Sequence, residues 1–157
     1  MEMLLSLLTF VPLCVLAVSD IRSRTVSTWW LLVFGALLLL GSAARTGWNC
    51  VLLRICGNCA VLFVVGCSLG LYAKIRHRGL PELLGSGDVL FLVHLSPALG
   101  TRAYVRFMLV ACVLGLACWP IFKRLQPEMN GIPMVSVMAV CFVCVMAYQF
   151  AAGMYGA

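Results

Sequence analysis

Six apolar runs joined by short connections determine which folds this chain can adopt. They cover approximately residues 3–19, 29–44, 51–73, 88–100, 104–122 and 132–152. About 20 apolar residues cross a bilayer as a helix. A helix also satisfies its own backbone N–H and C=O groups where no water can reach them. The runs predict an all-α polytopic membrane bundle of about six transmembrane helices, forming a single domain over residues 1–157. The fourth run is short. It is expected to borrow residues from its flanks, to tilt, or to stop short of the full hydrocarbon thickness.

Composition removes the alternatives. The chain is 64% hydrophobic with a mean hydropathy of +1.09, and only 10% of it is charged. A soluble domain of this length needs far more polar surface, so the lipid bilayer is the first partner. The net charge of +6 comes mainly from arginine, with Lys74 and Lys123 the only lysines. These charges sit in clusters at the ends of the runs. A nucleic-acid surface would need a continuous basic stripe, so no nucleic-acid partner is predicted. The first run has no basic segment before it, its only early charge being Glu2, and Ala17-Val18-Ser19 leads straight into charged residues. It reads as a retained transmembrane helix and not as a cleaved leader.

The basic clusters set an orientation. Connections 20–28, 74–87 and 123–131 would carry Arg22, Arg24, Lys74, Arg76, Arg78, Lys123 and Arg124, against Arg45, Arg54, Arg102 and Arg106 on the opposite side. The positive-inside rule makes the richer side cytoplasmic and places the N terminus outside.

That topology brings two acids to one depth. Only five acidic residues occur in the chain, and a carboxylate at a membrane segment costs several kcal/mol unless it is paired, protonated or hydrated. Asp88 follows two glycines in Gly85-Ser86-Gly87-Asp88 and opens the fourth run. Asp20 closes the first run, just before Ile21-Arg22-Ser23-Arg24. Both fall at the cytoplasmic boundary. A pair of carboxylates sharing one proton is the machinery of aspartic hydrolysis, in which one accepts a proton from water and the other hydrogen-bonds the scissile carbonyl. Gly85 and Gly87 are expected to shape this site, through unusual backbone angles and by leaving room for an extended peptide. The simpler reading of Asp88 is an N-cap of the fourth helix.

These residues resemble those of the type IV prepilin peptidases, and most closely the short, membrane-only form. The resemblance rests on Asp-Ile-Arg-x-Arg-x-Val after the first run, Gly-Ser-Gly-Asp-Val at the fourth, and Gly131-Ile132-Pro133 opening the last. It covers nearly the whole chain. It implies that Asp20 and Asp88 are the catalytic pair of an aspartic endopeptidase in the bacterial cytoplasmic membrane. Such an enzyme removes the basic leader of type IV prepilin-like precursors at the cytoplasmic face, and needs no metal or other cofactor. The chain departs from the family pattern at Ser27-Thr28, where Pro-Asn is common, and at Leu90, where lysine is common. Larger relatives add a cytoplasmic domain with paired Cys-x-x-Cys motifs and an N-methylating activity. That domain has no counterpart here, so methylation is not expected.

The same residues admit two other readings. Other Gly-x-Gly-Asp intramembrane proteases place a tyrosine before the first aspartate, where this chain has Ser19. A transporter or assembly scaffold would use its acids near the midplane or not at all. The nine cysteines lie mostly within the apolar runs and behave as small hydrophobes. Cys56-x-x-Cys59 and Cys141-x-x-Cys144 could supply four thiolates, but at different heights and without compensating charge, so no metal site is predicted. His94 is expected to be a packing histidine, and His77 and Glu82 loop residues.

Overall fold

The computed structural model describes residues 2–23, 27–76, 85–125 and 134–155. Six helices account for nearly all of them: α1 (Glu2–Ser23), α2 (Thr28–Thr46), α3 (Trp48–Ile75), α4 (Ser86–Leu95), α5 (Thr101–Leu125) and α6 (Met134–Tyr155). Arg24, His77, Arg78, Glu82 and Gly131-Ile132-Pro133 lie outside the described residues. Among the described helices, Thr28–Thr46, Trp48–Ile75 and Thr101–Arg124 are long and apolar enough to cross a membrane.

The fourth run differs most from expectation. Its helix has ten residues, a rise of about 15 Å, which is roughly half the hydrocarbon core. The chain turns through Ser96–Gly100 instead of continuing to the far side. Pro97, which cannot donate a backbone hydrogen bond, lies in that turn. Pro12 and Pro120, by contrast, sit inside α1 and α5.

A turn at this depth leaves carbonyls that water cannot reach, and side chains satisfy them. Tyr104 donates its hydroxyl to the Leu92 carbonyl at 2.9 Å. Asn58, fully buried on α3, donates Nδ2 to both Ser96 O and Leu99 O at 2.8 Å. The backbone amides of Ser96 and Ala98 take up Val93 O and Leu95 O. The last carbonyls of a helix have no partner within it, so these donors are what allow α4 to stop where it does.

The centre of the bundle is an aromatic cluster. Phe34 of α2 stacks on Phe91 of α4 with centroids 5.4 Å apart, and meets Phe142 of α6 edge-on at 5.9 Å. Phe107 of α5 reaches the other side of Phe142 at 6.5 Å. α1 lies against α2 and α6, while α3 touches α2 and α5 at the rim. The outer faces of α3 and α5 expose Leu53, Phe63, Leu109 and Leu116, as lipid-facing surfaces do. Gly47, at φ +79°, makes the one-residue connection from α2 to α3, a left-handed geometry that favours glycine.

Glycine also sets how closely α4 sits on α2. A Cβ at Gly35 would collide with the His94 ring, and at Gly57 it would lie 2.7 Å from the Thr101 hydroxyl. His94 is the packing residue expected, with Nδ1 donating to Leu90 O at 2.7 Å. Gly35→Ala should cost about 1–3 kcal/mol through overpacking. Thermal unfolding in detergent would show it, and His94→Ala in the same chain should recover most of the loss.

Candidate active site

Asp20 completes the inward stripe of α1. Thr9, Leu13, Leu16 and Asp20 follow the three-and-four spacing of one helix face, and all four are buried, Asp20 to 7% exposure. One carboxylate oxygen, Oδ2, accepts the backbone N–H of Ser136 at 3.0 Å and lies 3.0 Å from the Ser136 hydroxyl. Ser136 is the third residue of α6, and the first turn of a helix presents N–H groups that favour an anion. α6 thus receives a cap from another helix.

Asp88 faces the same interior from α4. It lies one turn from Phe91 and Leu92 and two turns from Leu95, all buried. Ser86, Leu90 and Val93 form the outward stripe of that helix. Leu90, where the family commonly has lysine, therefore points away from the acids. Asp88 is the third residue of α4, with Gly85 at the N-cap, so it is a first-turn acid.

α2 serves as a ruler for the heights of the two acids. Phe91 packs on Phe34, and His94 packs on Gly35. Since α4 runs parallel to α2, Asp88 lies about one turn below Phe34, near Trp30 and Leu31. α1 packs along α2, with Asp20 one turn before the end of α1 and Leu31 one turn after the start of α2. α6 gives a second measure: Ser136, bonded to Asp20, lies six residues, about 9 Å, before Phe142, which touches Phe34, against three residues, about 4.5 Å, from Asp88 to Phe91. Both acids thus sit on inward faces within about one helical turn of each other in height, each at the first turn of a helix, Asp88 in α4 and Asp20 across to α6.

Gly85 has ordinary extended angles, φ −65° and ψ 134°. Unusual backbone geometry, expected from the sequence, is therefore not its role. A Cβ there would lie 2.8 Å from Asp88 Oδ2, so its role is to leave room for the carboxylate folded over it. Gly87 is the second residue of α4 and is half-buried. Gly85→Ala should leave the fold intact and displace the Asp88 side chain. If the acid is catalytic, kcat should fall about 10²-fold, the scale for a misplaced reacting group. An unchanged kcat would show that the carboxylate position does not matter.

The arrangement coincides with a family match. Residues 7–120 match the type IV leader peptidase family. The chain belongs to this family. The peptidase is thus a membrane-associated protease acting on a protein substrate. The matched span holds Asp20 and the whole of α4 but ends before α6. No curated protein and no solved structure matches the chain.

Sequence reasoning did not find Ser136, Asn58 or Tyr104. Asn58 carried a signal, as an amide in an otherwise apolar run. Ser136 carried none, because serine is common in membrane helices and its value here depends on α1 lying alongside α6. The two Cys-x-x-Cys pairs stay apart on α3 and α6. Among the described residues no group of three or more histidine, cysteine or acidic side chains is placed to hold a metal ion.

Proposed function

We propose that the peptidase is an aspartic endopeptidase with Asp20 and Asp88 as its catalytic pair, removing the leader of type IV prepilin-like precursors. The observation that carries this reading is a pair of inward-facing carboxylates within about one helical turn in height, in a chain of a leader peptidase family. In the proposed reaction one carboxylate takes a proton from water, and the resulting hydroxide bonds to the scissile carbonyl carbon. The other, protonated, hydrogen-bonds the carbonyl oxygen. The C–N bond then breaks as the leaving amine takes a proton from the pair. No metal or cofactor enters these steps.

The active site faces the cytoplasm in this reading. Arg22, Lys74, Lys123 and Arg124 stand exposed near the ends of α1, α3 and α5, the same end of the bundle as the acids, and basic residues favour the cytoplasmic side. A precursor with a basic leader followed by an apolar helix would present its scissile bond at this boundary. The setting would be the bacterial inner membrane.

The test is reconstitution with such a precursor, comparing wild type, Asp20→Asn and Asp88→Asn. Cleavage by wild type alone supports the pair. Cleavage retained by either variant overturns it. A scaffold or transporter would cleave nothing in any of the three.

A further inference from the structure

We propose that Ser136 is a positioning residue for Asp20, fixing which of its carboxylate oxygens reacts. The inference rests on the aspartic dyad proposed above. Asp20 Oδ2 is engaged twice by one residue, through the Ser136 amide at 3.0 Å and its hydroxyl at 3.0 Å. The amide belongs to a helix backbone and cannot turn away, so Oδ2 is a permanent acceptor. A proton taken from water therefore goes to Oδ1, the oxygen left to the site, while the hydroxide bonds to the scissile carbon.

The hydroxyl behaves differently from the amide. Ser136 Oγ also lies 3.0 Å from the Ala17 carbonyl, and a hydroxyl has one proton to donate. With Asp20 ionised, the hydroxyl donates to Oδ2, where a charged acceptor makes the stronger bond. With Asp20 protonated, it can turn to Ala17 O and still leave no buried donor unpaired. Ser136 therefore serves both proton states of Asp20 without any helix moving. Alanine would keep the fixed amide and lose this adjustable partner.

The experiment compares wild type, Ser136→Ala, Ser136→Thr and Asp20→Asn on a precursor with a basic leader, with activity normalised to folded protein. Ser136→Ala should lower kcat by about ten- to hundredfold, the scale of one hydrogen bond to a charged group. KM should stay within about twofold, because the serine does not touch the substrate. Ser136→Thr, which keeps the hydroxyl, should recover most of the rate. If Ser136→Ala lowers only the melting temperature and leaves kcat per folded molecule unchanged, Ser136 is structural and the inference falls while the dyad stands. If Asp20→Asn still cleaves, or wild type does not, the dyad itself falls and this inference falls with it.

Discussion

Asparagine at Asp20 or at Asp88 is expected to reduce precursor cleavage by at least about 10²–10⁴-fold, the usual contribution of a positioned acid or base. The two positions differ in what else depends on them. Asp20 is buried and its Oδ2 supports the start of α6 through Ser136. Asparagine retains an oxygen that can accept from the Ser136 amide, so Asp20→Asn should remain folded while losing activity. Asp20→Ala removes the acceptor altogether. It leaves the Ser136 amide without its acceptor, while the hydroxyl still has Ala17 O, which should cost a further 1–3 kcal/mol or so. Cleavage assays and thermal unfolding on the same samples check both parts. Equal melting temperatures for Asp20→Asn and Asp20→Ala would show that the α1–α6 cap contributes nothing to stability.

Asn58 should give the largest loss of stability. Its Nδ2 serves the Ser96 and Leu99 carbonyls at the turn that ends α4, while among the described residues its own Oδ1 has no partner. Asn58→Leu leaves both carbonyls without that donor in an apolar setting, at about 1–3 kcal/mol for each. The leucine offsets part of this by removing the unpartnered Oδ1. Asn58→Asp is the sharper test, because the shape is kept while the donor becomes an acceptor. It should be no more stable than Asn58→Leu. Unfolding in detergent gives the comparison, and stability of Asn58→Asp at the wild-type level would show that the two hydrogen bonds do not hold the turn.

Much of this architecture was legible in the apolar runs. The boundaries of α2, α3 and α6 fall within a few residues of those read from hydropathy, because burial in lipid acts on every residue of a span. The fourth run misled for a physical reason. Residues 96–100 were read into the run on the strength of Ala98 and Leu99, but Pro97 and the donors from Asn58 and Tyr104 favour a turn, and both donors come from other helices. The inward placement of Asp20 was implicit in its spacing from Thr9, Leu13 and Leu16. The role of Gly85 was not legible, because its backbone is ordinary and only the fold of the Asp88 side chain shows why a Cβ is excluded.

The use of α2 by both acid-bearing helices has a mechanical consequence. Both helices pack on α2, α1 being tied also to α6 through Asp20 and Ser136 and α4 being held at its end by Asn58 and Tyr104, so the spacing of the acids depends on how each helix is seated on α2. For α4 that seat is closest where His94 lies over Gly35. On the proposed dyad, cleavage should therefore be sensitive to substitutions that shift this ten-residue helix on α2.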